Sequence, residues 1–179
     1  MVPPRQENPD DPHPARRRTA RPVPGTARRA PRHPGPDGRD DGPLPALLQG
    51  YLDLSRAIKR VSIPRALSEK ILLAVQEWLG CALCLAAHGA AARKLGLSEN
   101  DITLARQGLS TDARETALID LAVRLLAEPA AITDEDLAAV RAHGWTDRVL
   151  ADVLGLVSLN HLTGAFNLLA GLEPTTESH

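Results

Sequence analysis

The chain has 179 residues, of which 21 are basic and 22 acidic, so its formal net charge is −1. This length fits a single domain with an extension. One Tyr, two Trp and one Phe are its only aromatic residues, and this scarcity argues against a β-sandwich or barrel and against aromatic platforms that stack on single-stranded nucleic acid.

The N-terminal segment differs in composition from the rest of the chain. Residues 1–45 hold 12 of the 15 prolines, and nine arginines against six acidic residues leave a surplus of three positive charges. Proline at this density cannot sustain a helix. We therefore predict a disordered Pro/Arg-rich tail over residues 1–43 and one all-α domain over residues 44–179. The arginines at 16–18 and 28–29 could contact nucleic acid or an acidic partner, but we favour a solvated tail.

The sequence lacks the patterns that are typical of membrane insertion and secretion. Its longest apolar run, residues 78–87, is far shorter than the roughly 18 residues that a membrane span needs. The arginines at 16–18 precede polar, Pro-rich sequence, whereas a signal peptide would continue with an apolar segment. We therefore expect a cytoplasmic protein with no membrane partner.

The first half of the domain shows helical spacing of its apolar residues. Residues 44–58 follow a period of about 3.6. A second helix is predicted to carry Pro64 in its first turn and to stop at Gly80. A third is predicted from near Cys81 to Lys94, with Gly96 as its C-terminal cap.

The later helices begin with residue pairs that are typical of capping boxes. These pairs are Ser98 with Asp101, Asp112 with Glu115, and Thr133 with Asp136. They predict helices over residues 98–107, 112–127 and 134–143, and Asp147 begins a long helix that Gly171 closes. No segment alternates cleanly enough to predict a strand, so we expect an all-α fold of about six or seven helices.

The only two cysteines, Cys81 and Cys84, are followed by His88 at helical spacing. Spacings of three and four residues put the three side chains on one face of a helix. In a first turn the free N–H groups favour a thiolate, and His88 could accept the Cys84 proton directly or through water. A thiolate attacks a peroxide or disulfide, and a second thiol converts the resulting sulfenic acid to a disulfide. The pattern therefore predicts redox chemistry.

A carboxylate near the imidazole would help to move the proton. Glu77 lies one turn before Cys81 along the sequence, but the helix end predicted at Gly80 disrupts that geometry. Glu69 is farther away and reaches the site only if the helices on either side of Gly80 pack against each other. We therefore interpret Glu77 as a surface charge and keep Glu69 as a candidate.

Two other interpretations of the cysteines stay open at this point. They could be small buried hydrophobic residues. They could also bind a metal ion together with His88, but a tetrahedral site would then need a fourth ligand from His161, Glu69 or another subunit.

The arrangement resembles the carboxymuconolactone decarboxylase superfamily and, within it, the alkylhydroperoxidase D-like (AhpD-like) branch. The resemblance rests on a carboxylate at Glu69, eleven residues, the CxxC pair, three residues, His88 and a following GLS turn. It covers about residues 55–171. It implies an AhpD-like helical bundle that assembles as a homo-oligomer, either a trimer or a hexamer.

The resemblance also implies roles for individual residues. In the peroxidases of this branch the residue matching Cys84 attacks the peroxide, the one matching Cys81 resolves the sulfenic acid, and those matching Glu69 and His88 relay protons. The implied function is a thiol-dependent peroxidase or disulfide oxidoreductase. Its partners would be a hydroperoxide or disulfide substrate and a dithiol electron donor, either a lipoyl group or a thioredoxin-like protein, with no bound cofactor or metal ion. Leu83 departs from the family pattern, in which many members carry His or Tyr.

Two other functions are compatible with the resemblance. One is a non-catalytic oligomeric binding or regulatory protein of the same fold. The other is a carboxymuconolactone decarboxylase-like lyase that acts through His88 and Glu69 without the cysteines.

Four further side chains stand out in the sequence. Asn160 and His161 are polar residues midway along the long, mostly apolar final helix. We interpret them as a hydrogen-bonded pair in the core or at an interface, in preference to residues that line a pocket. We expect Trp78 and Trp145 in the core or at subunit contacts.

Overall fold

The computed structural model describes residues 45–174, which form seven α-helices and one short 3₁₀ helix and contain no strand. The predicted all-α class is therefore confirmed, whereas the predicted tail over residues 1–43 lies outside the described residues. The helices are α1 (Pro45–Ile58), α2 (Arg65–Leu79), α3 (Ala82–Lys94), α4 (Glu99–Arg106), α5 (Ala113–Ala127), α6 (Asp134–Ala142) and α7 (Asp147–Leu169).

Two of the three predicted capping boxes are present. The Ser98 side chain accepts the backbone N–H of Asp101, whose carboxylate accepts the N–H of Ser98, and Thr133 and Asp136 repeat the arrangement. Hydrogen bonds from Arg124 and Thr133 lower the pKa of Asp136 below its usual range. Each box satisfies backbone N–H groups that a helix would otherwise leave without a partner.

The capping box predicted for Asp112 and Glu115 is wrong for Glu115, whose side chain does not cap the helix. Asp112 caps α5 by accepting the backbone N–H of Arg114. The Glu115 carboxylate instead binds Lys70 Nζ at 2.6 Å and Ser110 Oγ at 2.6 Å. Because Lys70 is buried in α2, its ammonium needs an anionic partner, and this need outweighs a second cap bond.

Helix α2 is the centre of the bundle. It packs against α3, α4, α5 and α7, and the ten consecutive residues 67–76 are all buried. Each fully buried apolar side chain contributes roughly 1.5–3 kcal/mol to folding. The main core joins Leu67, Ile71 and Val75 of α2 to Leu118 and Ile119 of α5 and to Val153 and Leu156 of α7.

The turn after α2 depends on one glycine. Gly80 has φ +72°, the left-handed region that favours glycine. Its N–H and that of Cys81 both donate to the Gln76 carbonyl, which closes the helix end. The next helix begins at Ala82, so α3 follows α2 after a short reversal and packs against it.

Helix α7 is long and apolar because it completes the core. It is the only helix among residues 45–174 with the length and composition to cross a membrane. Four of its buried side chains, Val149, Val153, Leu156 and Val157, lie in the main core with those of α2 and α5, and α7 also packs against α1. This position explains the apolar composition of α7 as that of a core helix.

The two tryptophans occupy different environments. Trp145 packs at the edge of the main core, where its indole N–H donates to the Arg114 carbonyl at 2.8 Å. The Arg114 guanidinium lies 4.5 Å from the indole centroid, within cation–π distance. Trp78 is 53% exposed, so the expectation that it belongs to the core is wrong. A subunit contact at Trp78 stays a prediction.

Two α7 glycines predict a contrast in stability. A Cβ at Gly164 would lie 2.7 Å from Gln76 Oε1 and 2.9 Å from Leu79 Cδ1, and one at Gly155 would lie 2.6 Å from Ile58 Cδ1. Gln76 is completely buried and its amide donates to the Asn160 carbonyl, so it cannot move aside, whereas Ile58 is only partly buried. Overpacking costs about 1–3 kcal/mol, against a helix-propensity gain of up to about 1 kcal/mol for Gly→Ala.

We therefore expect Gly164→Ala to lower the free energy of unfolding in urea by about 1 kcal/mol. Gly155→Ala is the matched control and should leave the stability unchanged or slightly raised. Equal stabilities of the two variants would contradict this account of the α2–α7 contact.

Candidate active site

Cys81 and Cys84 form a disulfide at the N-terminus of α3, with their Cα atoms 5.3 Å apart. Both are buried, at 1% and 5% exposed. Cys81 is the N-cap residue, and its sulfur accepts the backbone N–H of Cys84 at 3.3 Å. The helix predicted from near Cys81 to Lys94 is therefore confirmed, with the Cys81 sulfur in the role of a capping acceptor.

The helix end acts on both sulfurs. The N-terminus of a helix carries a partial positive charge and directs N–H groups outward. Cys81 lies at this end, and Cys84 lies in the first turn. When the disulfide is reduced, this environment favours a thiolate over a neutral thiol.

Glu69 and His88 form a partly buried pair between α2 and α3. Their Oε2 and Nδ1 atoms are 2.8 Å apart, and the side chains are 11% and 21% exposed. A carboxylate this deep needs a partner that holds a proton or a positive charge. Glu69 was expected to reach the site only if the helices on either side of Gly80 pack against each other, and α2 and α3 do so.

Asn160 of α7 holds the other side of the His88 ring. Its amide nitrogen donates to the Leu156 carbonyl at 2.9 Å, which leaves its Oδ1 facing His88 Nε2 at 3.2 Å. Because an amide oxygen only accepts, Nε2 must carry a proton. Nδ1 then either donates to the Glu69 carboxylate or accepts from its protonated form. In both cases Glu69 and His88 share one proton along their hydrogen bond.

The His88 ring does not hydrogen-bond to either sulfur in the described part of the chain. The direct proton path expected from His88 to Cys84 is therefore not formed in the disulfide state, because Glu69 and Asn160 occupy both ring nitrogens. The sulfur of Cys84 instead accepts from Asn167 Nδ2 at 3.3 Å.

Asn167 was not predicted from the sequence. For Asn160 the sequence favoured a core or interface residue over one that lines the site. Asn160 is buried and belongs to the site, whereas its neighbour His161 is exposed and does not. The two asparagines are seven residues apart, a spacing that puts them on one face of α7. This shared face was the only signal in the sequence, and it does not show which residues the asparagines contact.

Glu77 lies away from the site, as predicted for a surface charge. Its carboxylate accepts from Arg106 Nε at 2.7 Å, and both side chains are largely exposed. This hydrogen bond raises the pKa of Arg106 above its usual value. No group of three or more His, Cys, Asp or Glu side chains within residues 45–174 is arranged to hold a metal ion.

An apolar pocket of about 360 Å³ lies beside the site, between α1 and α7. Its lining includes Leu48 and Tyr51 of α1 and Leu162 and Phe166 of α7. Asn167 also lines it, so one side chain contacts both the pocket and the sulfur of Cys84.

The sequence pattern of the carboxymuconolactone decarboxylase family matches residues 45–128. The match includes Glu69, both cysteines and His88, and it ends before α7, so the two asparagines lie outside it. No curated protein shows significant sequence similarity to the chain.

Three solved structures share the fold. An uncharacterized peroxidase-related protein from Silicibacter sp. TM1040 has a TM-score of 0.62 at 24% identity, over 74% of this chain and 72% of that one. An uncharacterized peroxidase-related protein from Ralstonia eutropha JMP134, described as an alkylhydroperoxidase AhpD core, has a TM-score of 0.67 at 21% identity, over 74% and 73%. A protein of unknown function from Agrobacterium tumefaciens, a candidate AhpD antioxidant defence protein, has a TM-score of 0.64 at 20% identity, over 74% and 93%. At these identities the likeness shows the fold, which is AhpD-like as predicted.

The hydrogen bonds around His88 predict its protonation state. Nε2 should carry a proton in the folded protein, because Asn160 Oδ1 can only accept from it. Two-bond ¹H–¹⁵N correlation spectra of the imidazole would show this directly. The exposed His161 serves as an internal reference for a ring in solvent. A His88 spectrum with an unprotonated Nε2 would contradict the assigned network.

Proposed function

The chain belongs to the carboxymuconolactone decarboxylase family, and from that premise we propose that it is a thiol-dependent oxidoreductase that reduces hydroperoxides or disulfides. The observation that carries the proposal is the Cys81–Cys84 disulfide at a helix N-terminus, one helix turn from a Glu69–His88 pair that shares a proton. The disulfide is the oxidised state of the cycle, and its two-electron reduction gives the dithiol that meets the substrate.

The peroxide step begins with the reduced pair. The Cys84 thiolate attacks one peroxide oxygen, so that an S–O bond forms, the O–O bond breaks and an alkoxide leaves, to be protonated to an alcohol. The Cys81 thiolate then attacks the Cys84 sulfur, forming the disulfide and releasing the oxygen as water after protonation. One hydroperoxide and two thiols thus give one alcohol, one water and the disulfide.

A dithiol donor closes the cycle. Its thiolate attacks the disulfide, forms a mixed disulfide and is displaced by its own second thiol, so that both electrons pass to the protein. A lipoyl group or a thioredoxin-like protein has this chemistry. Such a donor is kept reduced in the cytoplasm, which is where we place the reaction.

The Glu69–His88 pair supplies and receives the protons in this scheme. The shared proton can pass to the leaving alkoxide or hydroxide, and the pair recovers it from a thiol. Because Asn160 holds Nε2 in the oxidised state, the ring must exchange this bond for a water or a sulfur when the disulfide opens. Leu83 can neither accept nor donate a proton, so the path runs through His88 or water.

We also propose that the protein acts as a homo-oligomer, a trimer or a hexamer. Large apolar side chains stay exposed along α1 and at the end of α7, where Leu169 is 89% exposed. Apolar surface of this extent favours association with a second copy.

We predict that the protein turns over an organic hydroperoxide in the presence of a dithiol. Cys84→Ser should abolish turnover, because a hydroxyl is a poor nucleophile without a strong base. Without the dithiol, Cys81→Ser should still consume about one equivalent of peroxide per chain and stop at the sulfenic acid. A coupled assay and a count of free thiols before and after one equivalent of peroxide would measure both effects. Full turnover by the Cys84→Ser variant would reject the proposal.

A separate prediction concerns the Glu69 carboxylate. Glu69→Gln should lower turnover by roughly 10²-fold or more, since loss of a proton-transfer group costs on that scale. Glu77→Gln is the matched control, because Glu77 forms an exposed pair with Arg106, and its turnover should equal that of the wild type. Equal rates for both variants would remove Glu69 from the mechanism.

A further inference from the structure

The Cys84 sulfur has a polar partner that the proposed mechanism does not yet use. Asn167 Nδ2 lies 3.3 Å from Cys84 Sγ. The two residues are 83 positions apart, and Asn167 lies outside the segment that matches the family. Asn167 is half-buried on α7, between the sulfur and the apolar pocket.

We propose that Asn167 is a catalytic residue of the thiol pair, whose side-chain N–H stabilises the Cys84 thiolate. The inference rests on the proposed function, because it assigns a role within the same redox cycle. A hydrogen bond to an anion is stronger than one to a neutral acceptor. The contact seen in the disulfide therefore strengthens when the S–S bond opens and Cys84 becomes the thiolate.

The two sulfurs are stabilised by different groups. Cys81 Sγ receives the backbone N–H of Cys84, and Cys84 Sγ receives the amide of Asn167. The ionisable groups at the site are Glu69 from α2 and His88 from α3, which share a proton, and α7 contributes only uncharged amides. Within residues 45–174, Asn167 is the only side chain that donates to the Cys84 sulfur.

This donor assigns the order of events in reduction. The donor thiolate attacks Cys81 Sγ, the S–S bond breaks, and Cys84 leaves with the electron pair as a stabilised thiolate. A better leaving thiolate leaves faster, so attack at Cys81 is favoured over attack at Cys84. The mixed disulfide then joins the donor to Cys81, and the second donor thiol releases it. Cys84 is thereby already a thiolate when the next peroxide arrives.

A single-thiol form of the full chain isolates the effect. Cys81→Ser leaves Cys84 as the only cysteine, and serine keeps the N-cap of α3. In this background, thiolate absorbance measured against pH gives the pKa of Cys84. Asn167→Leu removes the donor at similar size, and Asn167→Ala removes it with a good helix former.

Both Asn167 variants should raise the pKa of Cys84 by about half a unit to one unit. Ser158→Ala is the control, because Ser158 is exposed on α7 and its hydroxyl donates to the Leu154 carbonyl of its own helix. The control should leave the pKa unchanged. An unchanged pKa in the folded Asn167 variants, checked by circular dichroism, would overturn the proposal.

A second measurement uses the chain with both cysteines. In glutathione redox buffers, Asn167→Leu should shift the equilibrium roughly three- to tenfold toward the disulfide. An unshifted equilibrium would count against the donor role. Neither measurement involves peroxide, so loss of the proposed peroxidase activity and loss of the Asn167 effect are separate results.

Discussion

The site depends on the burial of one carboxylate. Helix α2 is enclosed by four other helices, so Glu69 cannot turn toward solvent and must find a proton-bearing partner inside the bundle. His88 is that partner, and its ring links α2 to α3. Asn160 then links the same ring to α7. On its own the buried Glu69 carboxylate would destabilise the core. Through its hydrogen bond to His88, and that of His88 to Asn160, it instead connects α2, α3 and α7.

The cysteine pair is placed by a second local constraint. Gly80 ends α2 in a left-handed conformation, and Cys81 starts the next helix as its N-cap. Because the reversal is this short, α3 returns along α2 and carries His88 back to Glu69. Both sulfurs therefore lie at the positive end of a helix while the proton-sharing pair lies one turn farther along. The same turn that closes α2 sets the distance between the cysteine pair and the Glu69–His88 pair.

Features that depend on residues close together in the chain could be predicted from the sequence, whereas contacts between distant residues could not. The all-α class, most helix ends and the alignment of Cys84 with His88 depend on neighbours within about four residues, and all are visible in the pattern. Glu69 lies 19 residues from His88. The helix end predicted at Gly80 argued against Glu77, but the role of Glu69 in proton transfer came from the family resemblance. Asn160 and Asn167 contact residues 72 and 83 positions away, which no local pattern encodes. The predicted capping bond of Glu115 was wrong for the same reason, because its carboxylate binds the buried Lys70 of another helix.

The residues that α7 brings to the site are amides, and their neutrality suits the redox cycle that we propose. A lysine in place of Asn167 would hold Cys84 as a thiolate so strongly that its nucleophilicity would fall, since thiolate reactivity declines as the pKa is lowered. An aspartate would oppose the thiolate by like charge. An amide donates a hydrogen bond without a net charge. It therefore stabilises the Cys84 thiolate in the reduced state and costs little free energy beside the neutral sulfur of the disulfide. The same reasoning applies to Asn160, which orients the His88 ring without competing with Glu69 for its proton.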